Sequence, residues 1–233
     1  MPSLSGCTIA FDLDGTLVDT APDLHRALSV VMKAQGLPPT KLEDMRNLVG
    51  QGAASLISRA FAVHGVHPSP QQIEQLVEDY TSALVVDIAS LSKPYPGLVP
   101  ALDTLKSAGA RLCVCTNKRT HLSNLLLEAL GLSHHFAAVV GADSPLVTNR
   151  KPHRDHFIAA IRAAGGDPSR AMMVGDSSND VDSAKAAGAP VIVYAYGYTD
   201  TAPGLLGADA VFTLYDEVPD LAVRLLDQPT PRV

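Results

Sequence analysis

The sequence predicts an α/β protein whose core is a parallel sheet with helices on both faces, interrupted early by an all-helical block. Three observations carry this prediction. A short apolar strand lies near the amino terminus, and helical periodicity then extends over roughly seventy residues. From residue 97 onward, strand patterns alternate with helix patterns. Such alternation is typical of parallel sheets covered on both faces.

The first predicted strand ends in a pair of aspartates. Residues 7–11 are apolar and partly β-branched, and Asp12 and Asp14 follow directly. Alternate residues of an extended chain point the same way, so both carboxylates can face one small space. Two anions so close repel each other unless a cation, a shared proton or a substrate lies between them. Gly15-Thr16 adds a tight turn whose N–H groups can approach an anion. The stretch therefore indicates a divalent metal and a phosphate; a surface turn rich in Asp and Gly is the alternative.

The inserted block is predicted to contain helices only. Apolar residues recur there at helical spacing, and glycines and prolines separate the helices. Ser69-Pro70-Gln71-Gln72 combines an N-cap serine, a proline at the first helical position and a glutamine three residues on, which is a helix start. The predicted helices span residues 23–34, 41–49, 53–63 and 70–90.

After Lys93-Pro94-Tyr95-Pro96-Gly97 the alternation begins. The predicted helices are 98–108, 120–130, 155–164, 181–187 and 221–226, and the predicted strands are 112–115, 137–140, 172–174, 191–194 and 210–212. This order predicts a Rossmann-like, doubly wound sheet whose ligands lie at the carboxyl ends of the strands. The tail, residues 227–233, is rich in proline and is expected to fray.

Composition excludes several classes of function. The 233 residues are 46% hydrophobic and 18% charged, and the formal net charge is −6. That charge argues against nonspecific binding to nucleic acid or to an anionic membrane. Cys113 and Cys115 alternate within an apolar strand and are expected to be small core residues in a reducing compartment. Because neither a signal peptide nor a membrane span is found, a cytoplasmic location is expected.

Four motifs carry a resemblance to a known family. The first, Asp12-Leu13-Asp14-Gly15-Thr16-Leu17-Val18-Asp19-Thr20, resembles the first motif of the haloacid dehalogenase (HAD) superfamily. The others follow in the family's order: Cys115-Thr116-Asn117-Lys118, Arg150-Lys151-Pro152 and Gly175-Asp176-Ser177-Ser178-Asn179-Asp180. The detail is similar to the phosphoglycolate phosphatase branch. The resemblance implies a catalytic core of residues 1–18 and 93–233, a helical cap of residues 19–92, and hinges near 18–21 and 92–97.

The resemblance also implies a reaction. It is the Mg²⁺-dependent hydrolysis of a small phosphate monoester through an aspartyl-phosphate intermediate. The first candidate for the substrate is 2-phosphoglycolate. Spacing alone leaves open which aspartate attacks; the family's order makes Asp12 the nucleophile and Asp14 the general acid/base. The implied metal ligands are Asp12, Asp176 and the backbone carbonyl of Asp14, and Asp180 supports them. The alternative for Asp176 and Asp180 is capping of the following helix.

Phosphate binding is expected from Thr116, Asn117 and Lys151, since fixed donors and a cation must meet the charge on the transferred group. An ordinary loop lysine is the alternative for Lys151. Lys118 and Arg119 are expected to face solvent or the cap interface.

Substrate choice is expected to lie in the cap. The loop of Gly50, Gln51 and Gly52 resembles the specificity loop of the branch, and its glycines allow close approach to a small ligand. A plain turn between helices is the alternative. Arg59 is a candidate for a substrate carboxylate, with a surface arginine as the alternative. His153 and His156 flank Lys151 and are expected to help orient its loop.

Other readings stay open. Arg119 and Arg154 stand where the family usually has proline, which puts the local loop shape in doubt. A sugar-phosphate phosphatase or a β-phosphoglucomutase-like isomerase would use the same core. A noncatalytic regulatory protein should have lost one of four core residues, and all are present: Asp12, Asp14, Lys151 and Asp176. The expected partner is a small phosphorylated metabolite, with no nucleic acid or membrane, and the expected state is a monomer or homodimer.

Overall fold

The structure of the protein, a computed structural model, describes residues 3–226. Its strands are β1 (Thr8–Phe11), β2 (Val18–Asp19), β3 (Lys93–Pro94), β4 (Arg111–Thr116), β5 (Ala138–Gly141), β6 (Ala171–Gly175), β7 (Val191–Tyr194) and β8 (Ala210–Phe212). Its helices are α1 (Ala21–Ala34), α2 (Leu42–Leu48), α3 (Ala53–Ala62), α4 (Pro70–Val86), α5 (Leu98–Ser107), α6 (Thr120–Ala129), α7 (Arg154–Ala163), α8 (Ser178–Ala186) and α9 (Val218–Leu226).

Six strands form one parallel sheet in the order β5-β4-β1-β6-β7-β8. The first strand is central, and Phe11 lies opposite Val114 on one side and Val174 on the other. Helices α5, α6 and α9 contribute to the core on one face, and α7 and α8 contribute to the core on the other. The predicted doubly wound α/β class is confirmed, and the carboxyl ends of β1, β4 and β6 lie side by side.

Helices α1 to α4 form the inserted block and have a hydrophobic core of their own. Leu28, Met32, Ile57 and Phe61 are among its buried residues. The predicted start of α4 forms a complete capping box between Ser69 and Gln72. Helix α4 ends at Val86, four residues before the predicted end.

The two connections between the block and the sheet pair with each other, which the sequence did not indicate. Strands β2 and β3 are antiparallel, with Val18 opposite Pro94. Two-residue strands are too short to produce a recognisable periodicity. The buried carboxylate of Asp23 accepts hydrogen bonds from the backbone N–H groups of Leu91 at 3.0 Å and Ser92 at 2.8 Å. Burial acts to raise the pKa of Asp23, but these donors hold it below its usual value. The segment that leads into the helical block and the segment that leads back to the sheet are therefore held together by hydrogen bonds.

Other expectations concern the ends and the cysteines. The tail predicted to fray, residues 227–233, lies outside the described residues. Within residues 3–226, no helix is long and apolar enough to cross a membrane. Cys113 and Cys115 are buried and free, and burial raises the pKa of Cys115 to about 12. Both are packed as core residues.

Candidate active site

Three strand ends bring the predicted site residues together. Asp12 follows β1, Thr116 ends β4, and Asp176 follows β6. The backbone N–H of Asp12 donates to the carbonyl of Val174 at 2.9 Å, which continues the ladder into the site. Asp12, Asp176 and Asp180 are buried and offer carboxylate oxygens within 4.8 Å of one another. Residues up to 168 positions apart are thus gathered by adjacent parallel strands.

Lys151 lies between two of these carboxylates. Its Nζ is 2.9 Å from Asp12 Oδ1 and 2.6 Å from Asp180 Oδ1, and its side chain is buried. Burial alone would lower the pKa of the ammonium, but the negative charges of Asp12 and Asp180 raise it above its ordinary value. Lys151 is therefore a permanent buried cation beside Asp12, rather than a solvated loop lysine.

His156 holds the backbone of that lysine. The N–H of Lys151 donates to His156 Nδ1 at 3.2 Å, and Nε2 lies 3.1 Å from the carbonyl of Val140. Burial and the charge of Lys151 lower the pKa of His156 to about 4. The ring is therefore neutral near pH 7, accepting at Nδ1 and donating at Nε2. His156 is buried and lies behind Lys151, as expected for an orienting residue.

Asp180 and Asp176 differ in what surrounds them. Asp180 Oδ2 accepts from the N–H groups of Asp176 at 3.2 Å and Ser177 at 3.1 Å, while its Oδ1 pairs with Lys151. Asp176 accepts from Thr16 Oγ1 at 2.7 Å and from the N–H of Tyr198 at 2.5 Å. Asp180 therefore shapes the loop that carries Asp176, and it caps α8 at the same time.

The carboxylates fit a divalent cation. Among residues 3–226, the one close positive neighbour of Asp12 is the ammonium of Lys151, 2.9 Å from Oδ1. Burial raises the pKa of Asp12 to about 6, against the opposing charge of Lys151. Burial and the charges of Asp180 and Asp12 raise the pKa of Asp176 well above its usual value. Ionising these buried carboxylates costs free energy unless a cation lies beside them. Carboxylate oxygens are also the ligands that Mg²⁺ prefers.

Lys118 is expected to face solvent or the cap interface, and it lies at the boundary between the core and the helical block. Its Nζ also lies 3.0 Å and 3.2 Å from the two carboxylate oxygens of Asp14, a contact that the sequence did not indicate. The two side chains are only 7% and 12% exposed. The direction in which a side chain points after the end of a strand depends on the loop conformation. The one sign in the sequence that Lys118 belongs to the site is its place in the second motif. Arg119, in contrast, is exposed and precedes α6 as its N-cap residue.

Asn117 connects the core to the glycine loop of the helical block. Its Nδ2 donates to the carbonyl of Gly50 at 3.0 Å and to that of Lys151 at 3.2 Å. Asn179 also donates to the carbonyl of Gly50, at 3.3 Å. Two amides from two core motifs therefore bind one carbonyl of the loop, and the loop lies over the strand ends.

A cavity of about 250 Å³ lies between the block and the core. Asp12, Asp14, Thr116 and Asn117 form its floor, and Gly50 and Gly52 border it. Its upper wall is mostly apolar and includes Leu24, Leu56, Val77, Tyr80 and Leu84. Three cations also line it: Lys118, Arg119 and Arg150. The pair of aspartates thus faces a partly open cavity that is large enough for a small ligand.

Two residues predicted for substrate binding do not line this cavity. The side chain of Gln51 is exposed and accepts from Ser55 Oγ at 3.0 Å, at the start of α3. Arg59 lies two turns into the same helix, away from the cavity wall. Arg150, which received no role from the sequence, lines it.

Tyr198 was not found from the sequence, because no motif surrounds it. Its N–H donates to Asp176, its hydroxyl donates to Asp19, and that hydroxyl accepts from the N–H of Ala21 at 2.8 Å. Arg46 pairs with Asp19 at 3.0 Å and lies over the ring of Tyr198 at 5.9 Å. One buried tyrosine therefore joins a candidate metal ligand to the connection that leads into the helical block.

Known proteins share this architecture. A family model described as haloacid dehalogenase-like hydrolase matches residues 8–188. The phosphoglycolate phosphatase of Caulobacter vibrioides is 47% identical over 229 residues, which cover 98% of this chain and 96% of that protein. A crystal structure of a predicted phosphoglycolate phosphatase from Haemophilus somnus has a TM-score of 0.85 and 27% identity, covering 94% of this chain and 98% of that chain.

A further solved structure contains a ligand. It is a mutant of CbbY from Rhodobacter sphaeroides in complex with xylulose-(1,5)bisphosphate, with a TM-score of 0.75 and 28% identity over 90% of this chain and 95% of that chain. The family model covers most of the chain, and the curated relative covers nearly all of it. The chain therefore belongs to the haloacid dehalogenase-like hydrolase family, in the branch of the phosphoglycolate phosphatases, and is a phosphoric monoester hydrolase.

Proposed function

We propose that the protein is a Mg²⁺-dependent phosphatase that hydrolyses 2-phosphoglycolate through an aspartyl-phosphate intermediate. The observation that carries the proposal is the buried Asp12, with Lys151 at 2.9 Å, at the floor of a cavity that Asp14 shares. Curated relatives at this level of identity are phosphoglycolate phosphatases, which supports the choice of substrate. We place the reaction in the cytoplasm, in a monomer or homodimer.

Asp12 and Asp14 divide the chemistry. A carboxylate oxygen of Asp12 attacks phosphorus, the P–O bond to the ester oxygen breaks, and Asp14 gives its proton to the departing alkoxide. Asp14 then takes a proton from the water that attacks the aspartyl phosphate, which releases phosphate and restores the Asp12 carboxylate. Lys118, at 3.0 Å, holds the carboxyl group of Asp14 in place between the two half-reactions.

Lys151 and residues at the strand ends stabilise the negative charge of the phosphoryl group during its transfer. The ammonium of Lys151 neutralises part of the negative charge that spreads over the phosphoryl oxygens. The hydroxyl of Thr116 and the backbone of Asn117 are assigned to the same oxygens. Because His156 fixes the backbone of Lys151, the cation needs no rearrangement at the moment of reaction.

Asp12, Asp176 and the backbone carbonyl of Asp14 would hold Mg²⁺. When bound, the ion supplies positive charge that offsets the repulsion between the ester and the carboxylates. Asp180 orients the loop of Asp176 and does not need to bind the ion itself, because both of its oxygens already have partners.

We assign residues 1–18 and 93–233 to the catalytic core and residues 19–92 to a cap. The apolar wall of the cavity comes from the cap, and it would exclude water from the floor. Gly50 and Gly52 belong to the cap, and both have positive φ angles, of 105° and 83°. Cap residues therefore meet the part of the substrate that is not transferred.

A panel of small phosphate esters tests the proposed function. With Mg²⁺ present, we expect the highest kcat/KM for 2-phosphoglycolate. The bound xylulose bisphosphate of the CbbY structure favours sugar phosphates as the second candidate. Preference for a sugar phosphate would support that candidate, and isomerisation that requires a bisphosphate activator would support a mutase. No hydrolysis of any ester would contradict the proposal.

Substitution of Gly52 tests the role of the cap. A Cβ at this position would lie 3.3 Å from Arg150 Nη1 and 3.5 Å from the carbonyl of Asn117. We expect Gly52→Val to lower kcat/KM for 2-phosphoglycolate by about tenfold or more, and p-nitrophenyl phosphate hydrolysis much less.

The matched control for this substitution is Gly36→Val. Gly36 has a similar φ of 71°, but a Cβ there would meet no atom within 4 Å. Both variants carry backbone strain, and only the first reaches the cavity. Equal losses on both esters by a folded Gly52→Val protein would show that the loop serves catalysis or closure generally.

A further inference from the structure

We propose that Arg150, together with the start of α3, binds the carboxylate of the substrate and thereby selects phosphate esters that carry a second negative charge. The inference rests on the proposed function, and it assigns a task to a residue outside the phosphoryl site. Arg150 replaces Arg59, the candidate that the sequence suggested.

Arg150 lies where a second anionic group would arrive. It directly precedes Lys151, whose ammonium contacts Asp12, and it lines the cavity that contains Asp12 and Asp14. Its Nη1 lies close to Gly52, on the cap side of that cavity. A substrate that spans the cavity from Asp12 towards the cap would therefore place its far end against this guanidinium.

The two lysines near the floor already have anionic partners. Lys118 is paired with Asp14, and Lys151 is paired with Asp12 and Asp180. Among the residues that the structure describes, neither Arg119 nor Arg150 forms an ion pair, and of these two arginines it is Arg150 whose Nη1 lies beside Gly52. Its guanidinium can thus donate two parallel hydrogen bonds to a carboxylate without breaking an existing contact.

Helix α3 adds donors at the same corner. It begins at Ala53 after Gly52, and no side chain caps it and no acidic residue stands in its first turn. Ala53 and Ala54 line the cavity, so the free N–H groups of the first turn lie beside Arg150. The remaining upper wall is mostly apolar, with Tyr80 and Thr81 as its polar members, so a carboxylate placed there would lose its hydration and gain few partners. Beside Arg150 and the first turn of α3, the substrate carboxylate can instead accept hydrogen bonds.

Two esters of equal carbon skeleton test the inference. 2-Phosphoglycolate carries the carboxylate and ethyl phosphate lacks it, so the ratio of their kcat/KM values measures what the second charge contributes. We expect Arg150→Met to lower kcat/KM for 2-phosphoglycolate by about 10- to 100-fold, mainly by raising KM. Ethyl phosphate should change by less than about threefold, since its phosphoryl contacts remain. Arg150→Lys should recover part of the loss.

Two control variants separate the neighbouring cations. Arg59→Met, on α3 away from the cavity, should leave both esters unchanged. Arg119→Met removes the other exposed cation that lines the cavity. Selective loss of 2-phosphoglycolate turnover in Arg119→Met but not in Arg150→Met would overturn the assignment, as would equal losses on both esters in Arg150→Met.

The outcomes also separate this inference from the proposed function. If the wild-type protein hydrolyses neither ester, the proposed function has failed. If it hydrolyses both and Arg150→Met leaves the ratio unchanged, the inference has failed and the phosphatase stands.

Discussion

Replacing Asp12 by Asn is expected to lower turnover of every phosphate ester by about 10⁴-fold or more, because an amide is a poor nucleophile. Steady-state release of phosphate measures the effect, and trapping of a phosphorylated protein reports the intermediate directly. Asp182→Asn, which neutralises an exposed aspartate of α8, is the matched control and should retain activity.

The neighbouring aspartate should respond differently. Asp14→Asn is expected to slow both protonation of the leaving group and hydrolysis of the intermediate, while Asp12 and Asp176 still bind the metal. Near-normal turnover by Asp12→Asn would show that the attacking residue has been misassigned. A phosphorylated Asp12→Asn protein would lead to the same conclusion.

Removal of divalent metal is expected to have the second large effect. EDTA should lower kcat/KM by about 10³-fold or more, and Mg²⁺ should restore it, because the ester and the carboxylates repel each other without the ion. Asp176→Asn should weaken the response to Mg²⁺, and Asp182→Asn should leave it intact. Full activity in chelator would exclude metal-assisted hydrolysis.

Thermal unfolding gives a readout that does not depend on activity. At a Mg²⁺ concentration of about 100 times Kd, Tm should rise by about 5–10 °C in the wild-type protein. Without metal, burial raises the pKa of Asp12 to about 6, so the proton is held in the folded state more tightly than in the unfolded state. Below pH 6 the carboxyl group of Asp12 is mostly protonated in the metal-free protein, so Mg²⁺ must displace that proton in order to bind. Above pH 6 it does not have to. At a fixed Mg²⁺ concentration, the rise in Tm should therefore be smaller at pH 5 than at pH 7.5. An equal rise in Asp176→Asn would contradict this metal site.

The sequence by itself determined the fold class and the centre of the site. Short apolar runs that alternate with amphipathic helices, most of which are followed by a glycine, leave few architectures other than a doubly wound sheet. In that sheet, the carboxyl ends of neighbouring parallel strands meet at one edge. Asp12 and Asp176 stand directly after their strands and Thr116 is the last residue of its strand, so their positions follow from the strand pattern and from local geometry.

Only the tertiary structure decided which charges meet within the site. Lys118 and Asp14 are 104 residues apart, and their pairing depends on the direction in which each side chain leaves its loop. The same holds for Tyr198, which joins Asp176 to Asp19, and for Arg150, which lies beside Gly52 in the wall of the cavity. Periodicity reports which face of an element is buried, but not the loop conformations or the packing of two units. Contacts between the helical block and the sheet depend on both, and they put Arg150, rather than Arg59, in the wall of the cavity.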